Sequence, residues 1–352
     1  MANEETVGAV RTLAHAAREI AIAGAAAGVD AVLRDLLSLV DEDEGRPIGI
    51  LSQDPEHAGT PARRIDALAQ AAAKDGAERK WLELKQALAG QVQNVVYVGE
   101  ESGAQTQLIL PRTLVIRFDP LDGTTNAINI LNSFASVVSV DVITNTNGEA
   151  RHLAGAILGG EVDVSWIHWS RRGQHSVGYS KPLGRVFVRS MRIETGWRHL
   201  EVSQEERDVH SVASVAANSR RFTAFGPFRD EIFANGGVVY HSAGNPFCAA
   251  LLLGHVGAFV ETQNVTMHDS VYLIPHWLLG GRIETLDYQP FDYIGQYERH
   301  AVDFSPRSKP IPPYIAYVGA SNPLKDRKIA SELRNSGEVK SPPRRQVFRE
   351  ED

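Results

Sequence analysis

Apolar residues recur at helical spacing in two stretches near the start of the chain, residues 7–40 and 63–88. A repeat of apolar residues every three to four positions is typical of an amphipathic helix. Gly24 and Gly28 weaken the first repeat, so we expect one interrupted helix or two there. Residues 41–60 between the two stretches are polar and contain several Gly and Pro residues, which predicts a loop.

Beyond residue 94 the pattern changes to short apolar runs rich in β-branched residues, which predict strands. The dipeptide Asn147-Gly148 between two of these runs is typical of a tight hairpin turn. The predicted strands cover residues 95–98, 114–118, 134–143, 152–158, 212–217, 237–240, 256–261 and 282–286. The predicted helices cover residues 225–235, 246–253 and 269–279. This alternation in the second half of the chain indicates an α/β arrangement.

The length of 352 residues suggests two domains or one large layered unit. A basic, Gly-rich stretch at 170–185 is the candidate junction. We therefore predict an N-terminal α+β domain over 1–175, which carries the chemistry, and a C-terminal α/β domain over 185–300. The many prolines and charges that follow predict an extended or partly disordered tail over 301–352.

The composition is that of a soluble globular protein, with 43% hydrophobic and 22% charged residues. The formal net charge of -7 argues against nucleic acid or an anionic membrane as the main partner. A single cysteine, Cys248, excludes an internal disulfide and a metal site built from several thiolates. The N-terminal residues lack the pattern of a secretory signal, so we expect a cytoplasmic protein.

Carboxylates follow two of the predicted strands, Glu100 and Glu101 after one and Asp119 and Asp122 after the next. If these strands pair in one sheet, Glu100, Asp119 and Asp122 converge at its edge, where their mutual repulsion requires cations or protons. Hard divalent ions prefer oxygen ligands, and Mg²⁺ commonly binds a few carboxylates together with a substrate phosphate. Each fragment alone is typical of a turn, a helix cap or a solvated pair, but the ordered combination predicts a metal site.

The residues around the two aspartates fit the same chemistry. Pro120 has a fixed φ and so sets the separation of the flanking aspartates, while Leu121 can offer its backbone carbonyl. Gly123 has no side chain, so a ligand can approach its backbone closely. The amides and hydroxyls of residues 124–126 can then bind an anion such as phosphate.

Gly-Glu-Glu-Ser at 99–102 and Asp-Pro-Leu-Asp-Gly-Thr-Thr-Asn at 119–126 resemble the signatures of a known superfamily. It comprises the inositol monophosphatases and fructose-1,6-bisphosphatases, which are magnesium-dependent, lithium-sensitive phosphatases. Weaker similarity extends to residues 63–69, 242–261 and 267–269. The resemblance implies an α+β or α/β fold, a layered αβαβα sandwich of the sugar-phosphatase type.

The resemblance also implies roles for individual residues. The implied metal ligands are Glu100, Asp119, the Leu121 carbonyl, Asp122, Asp269 and Asp66. The implied catalytic residues, which act on the attacking water, are Glu100, Glu101 and Thr124. The implied phosphate contacts are Gly123, Thr124 and Thr125, and the implied substrate contacts are Glu261, Ser242 and Ala243.

Three positions leave alternatives open or depart from the family pattern. Glu261 either contacts substrate hydroxyls or is a solvated strand end. His268 stands where the family usually has Trp, and we expect a packing or capping histidine rather than a neighbour of the ligands. Pro275 lies inside the predicted helix 269–279 and should kink it.

The resemblance implies a phosphoric monoester hydrolase. Its expected substrate is a small polyhydroxylated phosphate, either an inositol or cyclitol phosphate or a sugar phosphate, cleaved by direct in-line attack of a metal-activated water. Two or three Mg²⁺ ions would take part, and Mn²⁺ could substitute. The alternatives are a 3′-phosphoadenosine-type nucleotidase and a catalytically silent relative that binds a phosphorylated ligand. Apart from the substrate, a second copy in a homodimer is the expected partner.

Overall fold

The structure is a computed structural model. It describes residues 4–41, 50–53, 61–100, 103–104, 110–123, 134–164, 169–172, 175–190, 197–200, 214–217, 238–241, 244–254, 256–305 and 308–318. None of the helices in these ranges combines the length and the apolarity that crossing a lipid bilayer requires.

Two long helices, α1 (Glu4–Asp41) and α2 (Arg64–Leu84), pack against each other. Helix α1 is continuous, so the predicted interruption is wrong. A Cβ atom on Gly28 would lie 2.4 Å from Ser136 Oγ, and one on Gly24 would lie 3.1 Å from a backbone oxygen of α2. The two glycines therefore allow close packing of α1 against its neighbours rather than a break.

A short antiparallel pair connects these helices, formed by β1 (Ile50–Gln53) and β2 (Pro61–Arg63). The predicted loop over 41–60 thus contains one strand. Its two apolar residues, Ile50 and Leu51, lie between Gly- and Pro-rich stretches that dominate the local pattern.

Within the described ranges, nine strands form the first sheet. They are β3 (Asn94–Gly99), β4 (Gly103–Ala104), β5 (Thr113–Asp122), β6 (Phe134–Ile143), β7 (Ala150–Val164), β8 (Trp169–Arg172), β9 (His175–Ser180), β10 (Arg185–Ser190) and β11 (Arg198–His199). Their spatial order is β11-β10-β9-β7-β6-β5-β3-β4, and β8 pairs with β7. Strands β3 and β5 run parallel. Strands β5 and β6 are buried along their whole length, which explains their nearly continuous apolar sequences.

The first sheet continues to residue 199, so the predicted junction at 170–185 lies inside it. Strands β9 and β10 form a hairpin, and β9 also pairs with β7. The turn at 181–184 contains the lysine, proline and glycine that had suggested a linker. A domain border between 175 and 185 would separate two hydrogen-bonded strands.

In the part of the chain that the structure describes, five strands form the second sheet. They are β12 (Ser214–Ala217), β13 (Val238–His241), β14 (Ala258–Glu261), β15 (Arg282–Thr285) and β16 (Tyr314–Tyr317), in the spatial order β13-β12-β14-β16-β15. Strand β16 is buried throughout and runs antiparallel to both of its neighbours. The prediction of a tail from residue 301 is therefore wrong as far as residue 318, and residues 319–352 lie outside the described ranges.

Among the described residues, three shorter helices lie between the two sheets: α3 (Cys248–Leu252), α4 (Leu273–Leu278) and α5 (Tyr293–Arg299). One buried cluster joins residues from the first sheet, these helices and the second sheet, among them Val137, Ile157, Leu251, Leu273, Tyr297, Phe259 and Tyr314. Helices α1 and α2 cover the other face of the first sheet. The order helix, sheet, helix, sheet confirms the predicted layered α/β fold. The predicted helix at 225–235 lies outside the described ranges.

The predicted helix over 269–279 is two short segments, a 3₁₀ turn (His268–Ser270) followed by α4. Pro275 lies in the first turn of α4, where a backbone N–H has no partner within the helix. The expected kink is therefore replaced by a division of the helix ahead of the proline.

Candidate metal centre

The parallel pairing of β3 and β5 brings Glu100 beside Asp119. Gly99 pairs with Phe118, and the backbone N–H of Glu100 donates a hydrogen bond to the Phe118 carbonyl at 3.1 Å. Parallel strands end at the same edge of a sheet, so the residues that follow them lie close together. Of the three carboxylates expected to converge at this edge, Glu100, Asp119 and Asp122, the first two therefore lie side by side.

The 3₁₀ turn after β14 approaches the same edge and carries Asp269. The backbone N–H of Asp269 donates to Thr266 Oγ1 at 3.3 Å, and the backbone N–H of Thr266 donates to Asp269 Oδ2 at 3.4 Å. This reciprocal pair, similar to a capping box, fixes Asp269 at the start of the turn.

Four side chains meet at this point: Glu100, Asp119, His268 and Asp269. One ligand atom of each lies within 4.8 Å of those of the other three. Two ligands on opposite sides of a divalent ion are about 4.2 Å apart, because each metal–oxygen bond is about 2.1 Å long. Small side-chain movements would therefore close these four atoms around one ion, and the donor set fits a divalent cation.

A bulge in β5 places Asp119 and Asp122 on the same face of the strand. Asp119 pairs with Val137 and Asp122 with Ala135, so three steps along β5 match two along β6. Without the extra residue, positions three apart would point to opposite faces. Pro120 lies in the bulge, where its missing N–H breaks no regular ladder bond.

The bulge is closed by two local features. The backbone N–H of Leu121 donates to Asp119 Oδ1 at 3.2 Å. Gly123 follows β5 with a φ of 89°, which favours glycine over residues that carry a Cβ atom. Both features fix the loop at the point where the sequence predicts metal and phosphate contacts.

Asn245 connects Asp122 to the turn that carries His268. Its Nδ2 donates to Asp122 Oδ2 and to the His268 carbonyl, both at 2.9 Å. Its Oδ1 accepts a hydrogen bond from the backbone N–H of Tyr272 at 3.1 Å. Asn245 was not among the residues predicted from the sequence, because its role depends on contacts with segments far from it in the chain.

Arg117 places a fixed positive charge close to the cluster. Its guanidinium is buried and donates to the carbonyls of Ala301 at 2.7 Å and Asp303 at 3.4 Å. These bonds tie β5 to the segment before β16. Arg117 and His268 line the same small cavity.

Burial and mutual repulsion raise the pKa values of the two aspartates of β5. Burial is the largest cause for Asp119, whose pKa lies well above its ordinary value, and the charges of Glu100 and Asp122 add to it. Burial, followed by the charge of Asp269, raises the pKa of Asp122 to about 8, although the hydrogen bond from Asn245 lowers it. Protons and cations therefore compete for these carboxylates.

The side chain of His268 is 8% exposed and lies beside carboxylates. Burial lowers the pKa of His268, but the neighbouring Glu100 and Asp269 outweigh burial and raise the pKa overall. Its Nε2 lies 3.6 Å from Glu100 Oε1, which is too long for a hydrogen bond. The expectation of a packing or capping histidine is therefore wrong in one respect, because the ring nitrogen adjoins the candidate ligands.

The remaining candidates are placed as follows. Asp66 is half-buried in the first turn of α2 and is not a member of the four-residue group. Glu261 is buried at the end of β14 and accepts a hydrogen bond from the backbone N–H of Gln263 at 3.0 Å, so the solvated strand end is excluded. The candidates outside the described ranges are Glu101, Thr124, Thr125, Ser242 and Ala243. Their roles and that of the Leu121 carbonyl stay predictions.

Ninety chains of solved structures match this structure. The extragenic suppressor protein SuhB of Bartonella henselae is 14% identical, with 91% of this chain and 97% of that chain covered and a TM-score of 0.47. The SuhB of Mycobacterium tuberculosis is 14% identical (91% and 96% covered, TM-score 0.47). The IMPase of Thermotoga maritima is 16% identical (87% and 94% covered, TM-score 0.44). No protein-family model and no curated protein matches the chain.

Proposed function

We propose that the protein is a metal-dependent phosphomonoesterase that hydrolyses a small polyhydroxylated phosphate, either an inositol or cyclitol phosphate or a sugar phosphate. The observation that supports this proposal is the meeting of Glu100, Asp119, His268 and Asp269 within 4.8 Å. Asp119 and His268 of this group are buried, and carboxylates that converge beside a buried carboxylate require a cation or protons. Gly123, directly after β5, permits a phosphate to approach the backbone closely.

The chain offers oxygen ligands from both sides of the site. Glu100 and Asp119 come from the first sheet, and Asp269 comes from the turn after β14. Asp122, the Leu121 carbonyl and Asp66 are the further ligands that the sequence resemblance implies, for two or three Mg²⁺ ions or Mn²⁺ in their place. When bound, such cations polarise the phosphate and lower the pKa of water.

Glu100 is the residue best placed to accept a proton from the attacking water. Its side chain is 38% exposed, whereas Asp119 is 1% exposed. A general base must come within hydrogen-bond reach of the water whose proton it accepts, and the more accessible carboxylate of the two leaves room for that water. Glu101 and Thr124 would assist Glu100 in this role.

The loop after Asp122 would bind the phosphate. Gly123, Thr124 and Thr125 would donate backbone and hydroxyl hydrogen bonds to the phosphoryl oxygens, and fixed donors of this kind stabilise charge that develops in the transition state. Glu261, Ser242 and Ala243 would contact the hydroxyl groups of the leaving alcohol, which would decide the choice of substrate.

Phosphate release from a panel of monophosphates tests the proposal. The chelator-treated protein is assayed with inositol, sugar and 3′-phosphoadenosine phosphates, with and without Mg²⁺ or Mn²⁺. We expect metal-dependent release that Asp119→Asn reduces at least about 100-fold, since loss of a mere outer partner of a metal ligand can weaken activity 10- to 100-fold. Asp75→Asn, the same change at an exposed position of α2, should have no effect.

The panel also separates the alternatives. Preferred release from the 3′-phosphoadenosine substrate would indicate a nucleotidase. Binding of these phosphates without release under any metal condition would indicate a silent relative and contradict the proposal. A homodimer and a cytoplasmic location are further proposals, and light scattering after size-exclusion chromatography tests the first.

A further inference from the structure

We infer that His268 is a metal ligand through Nε2, and that one cation position therefore prefers a first-row transition-metal ion, such as Mn²⁺, over Mg²⁺. The inference rests on the proposed function, because the same four-residue group would hold the catalytic cations. It adds a nitrogen ligand to a site that the acidic motifs alone would make all-oxygen.

The position of the imidazole is that of a ligand. Neighbouring ligands around an ion with bonds of about 2.1 Å are about 3.0 Å apart, and opposite ligands are about 4.2 Å apart. The distance of 3.6 Å between His268 Nε2 and Glu100 Oε1 lies between these values. Nε2 is buried and makes no hydrogen bond to the described part of the chain, so the nitrogen that adjoins Glu100 is available to a cation.

The backbone that carries His268 is held in place. Its carbonyl accepts the hydrogen bond from Asn245, whose side chain also binds Asp122 and the backbone of Tyr272. Tyr272 is fully buried, with its ring 5.2 Å from that of Phe259 between centroids. The backbone of His268 is therefore fixed relative to β5, and sites whose supporting residues are held in this way bind with little rearrangement.

The donor set decides which ion is preferred. Mg²⁺ selects oxygen ligands, whereas divalent ions of the first transition row accept imidazole nitrogen as well, with an affinity that rises from Mn²⁺ to Cu²⁺. Three carboxylates with one imidazole suit Mn²⁺ and the ions after it better than Mg²⁺. The family that this sequence resembles usually has tryptophan at this position. Tryptophan offers only an N–H donor and cannot bind a cation through nitrogen.

The other possible state is a protonated imidazole that neutralises Glu100 in place of a cation. The two states have opposite consequences for metal binding. A ligand nitrogen strengthens the binding of a transition-metal ion, whereas a positive ring repels it.

The test measures metal binding without substrate. The chelator-treated full chain is titrated with Mn²⁺ and followed by electron paramagnetic resonance, and electron spin-echo spectra report nitrogen coupling to the bound ion. We expect nitrogen coupling in the wild type. In His268→Gln we expect the coupling to be lost and the Mn²⁺ affinity to fall at least about tenfold, since even outer partners of ligands contribute 10- to 100-fold. The affinity for Mg²⁺, measured by competition, should change less than about threefold.

The control is His300→Gln, the same change at a half-buried histidine outside the four-residue group. It should leave both the coupling and the affinities unchanged. Unchanged or tighter Mn²⁺ binding in His268→Gln would overturn the inference. If that variant does not fold, the spectrum of the wild type is itself the test, because absence of nitrogen coupling in its Mn²⁺ complex would also overturn the inference. A wild type that binds Mn²⁺ with nitrogen coupling but releases no phosphate would contradict only the proposed function.

Discussion

The side-chain amide of Asn245 donates a hydrogen bond to Asp122 Oδ2 at 2.9 Å and joins two parts of the site that are 123 residues apart in the sequence. One oxygen of Asp122 is thereby engaged by a neutral donor. The same amide holds the His268 carbonyl, so the distance between β5 and the His268 turn depends on one buried side chain.

Asn245→Ala should weaken both the fold and the metal site. The change leaves the backbone N–H of Tyr272 and one oxygen of Asp122 without their partner, which typically costs about 1–3 kcal/mol of unfolding free energy. Urea unfolding of the metal-free protein measures this loss, and a Mn²⁺ titration should show weaker binding. Asn264→Ala removes an exposed amide and should change the unfolding free energy by less than about 0.5 kcal/mol. Equal effects of the two variants would contradict the assigned role of Asn245.

Asp122→Asn should change how stability depends on pH in the metal-free protein. Folding raises the pKa of Asp122 from 3.8 to about 8, so the folded state binds the proton more tightly than the unfolded state. This contribution to stability is fully present below the unfolded pKa and is lost as the pH rises towards the folded value. The melting temperature of the variant, relative to that of the wild type, should therefore rise as the pH increases from the unfolded to the folded pKa.

The same two proteins should also differ in how much divalent cations raise their melting temperatures. A cation that binds only the folded state raises its melting temperature, and it should do so more at the upper end of this pH interval, where protons compete less. The gain should be smaller in Asp122→Asn than in the wild type. A difference in melting temperature that stays constant with pH would show that Asp122 is ionised in the metal-free fold.

The local parts of the site could be predicted from the sequence, because each lies within one short segment. Strands β3 and β5 are apolar runs, and the acidic residues of the site lie at or directly after the ends of these two strands. The roles of Asn245 and His268 could not be predicted, since they depend on contacts between segments far apart in the chain. The bulge at Pro120 was visible only in part, because its effect depends on pairing with β6.

Other errors have a similar physical origin. Gly24 and Gly28 weaken a helix in isolation, and only the neighbouring α2 and β6 show why glycine is needed there. Strand β16 is a short apolar run that follows several prolines, so its local sequence resembles a tail. Its partners β14 and β15 lie earlier in the chain and supply the hydrogen bonds that make it a strand.

Gly28→Ala should destabilise the protein by about 1–3 kcal/mol, because the contact between α1 and β6 leaves no space for the added methyl group. Its Cβ atom would lie 2.4 Å from Ser136 Oγ. Gly8→Ala is the matched control in the same helix, since no atom of the described residues lies within 4 Å of its added Cβ atom. That change should stabilise the protein by up to about 1 kcal/mol, the difference in helix propensity between the two residues. Chemical unfolding of both variants gives the comparison.

A double variant tests the cause. Ser136→Ala removes the oxygen that the new methyl group would meet, and this oxygen has no hydrogen-bond partner among the described residues. Gly28→Ala should therefore cost less in the Ser136→Ala background. Identical costs in the two backgrounds would place the strain elsewhere.

Tyr179→Phe should destabilise the fold by about 1–3 kcal/mol, the usual penalty for a buried polar group that loses its partner. Tyr179 OH lies 3.0 Å from His152 Nε2, and His152 Nδ1 lies 2.7 Å from Asp141 Oδ1, all in the buried region between the sheets. Tyr97→Phe is the control, because Tyr97 OH is buried without a hydrogen-bond partner in the described ranges. Thermal unfolding should show a loss for the first change and little or none for the second.

The position of β16 has a consequence for the synthesis of the protein. On the ribosome, β14 and the 3₁₀ turn that carries His268 emerge well before β16, the strand that pairs with β14. Strand β15 has no other partner strand in the described structure, so neither strand can complete its ladder until residue 318 has left the exit tunnel. A nascent chain that pauses earlier exposes an open strand edge, where chaperones or other unfinished chains can attach. The half of the centre that carries Asp269 is thus assembled last.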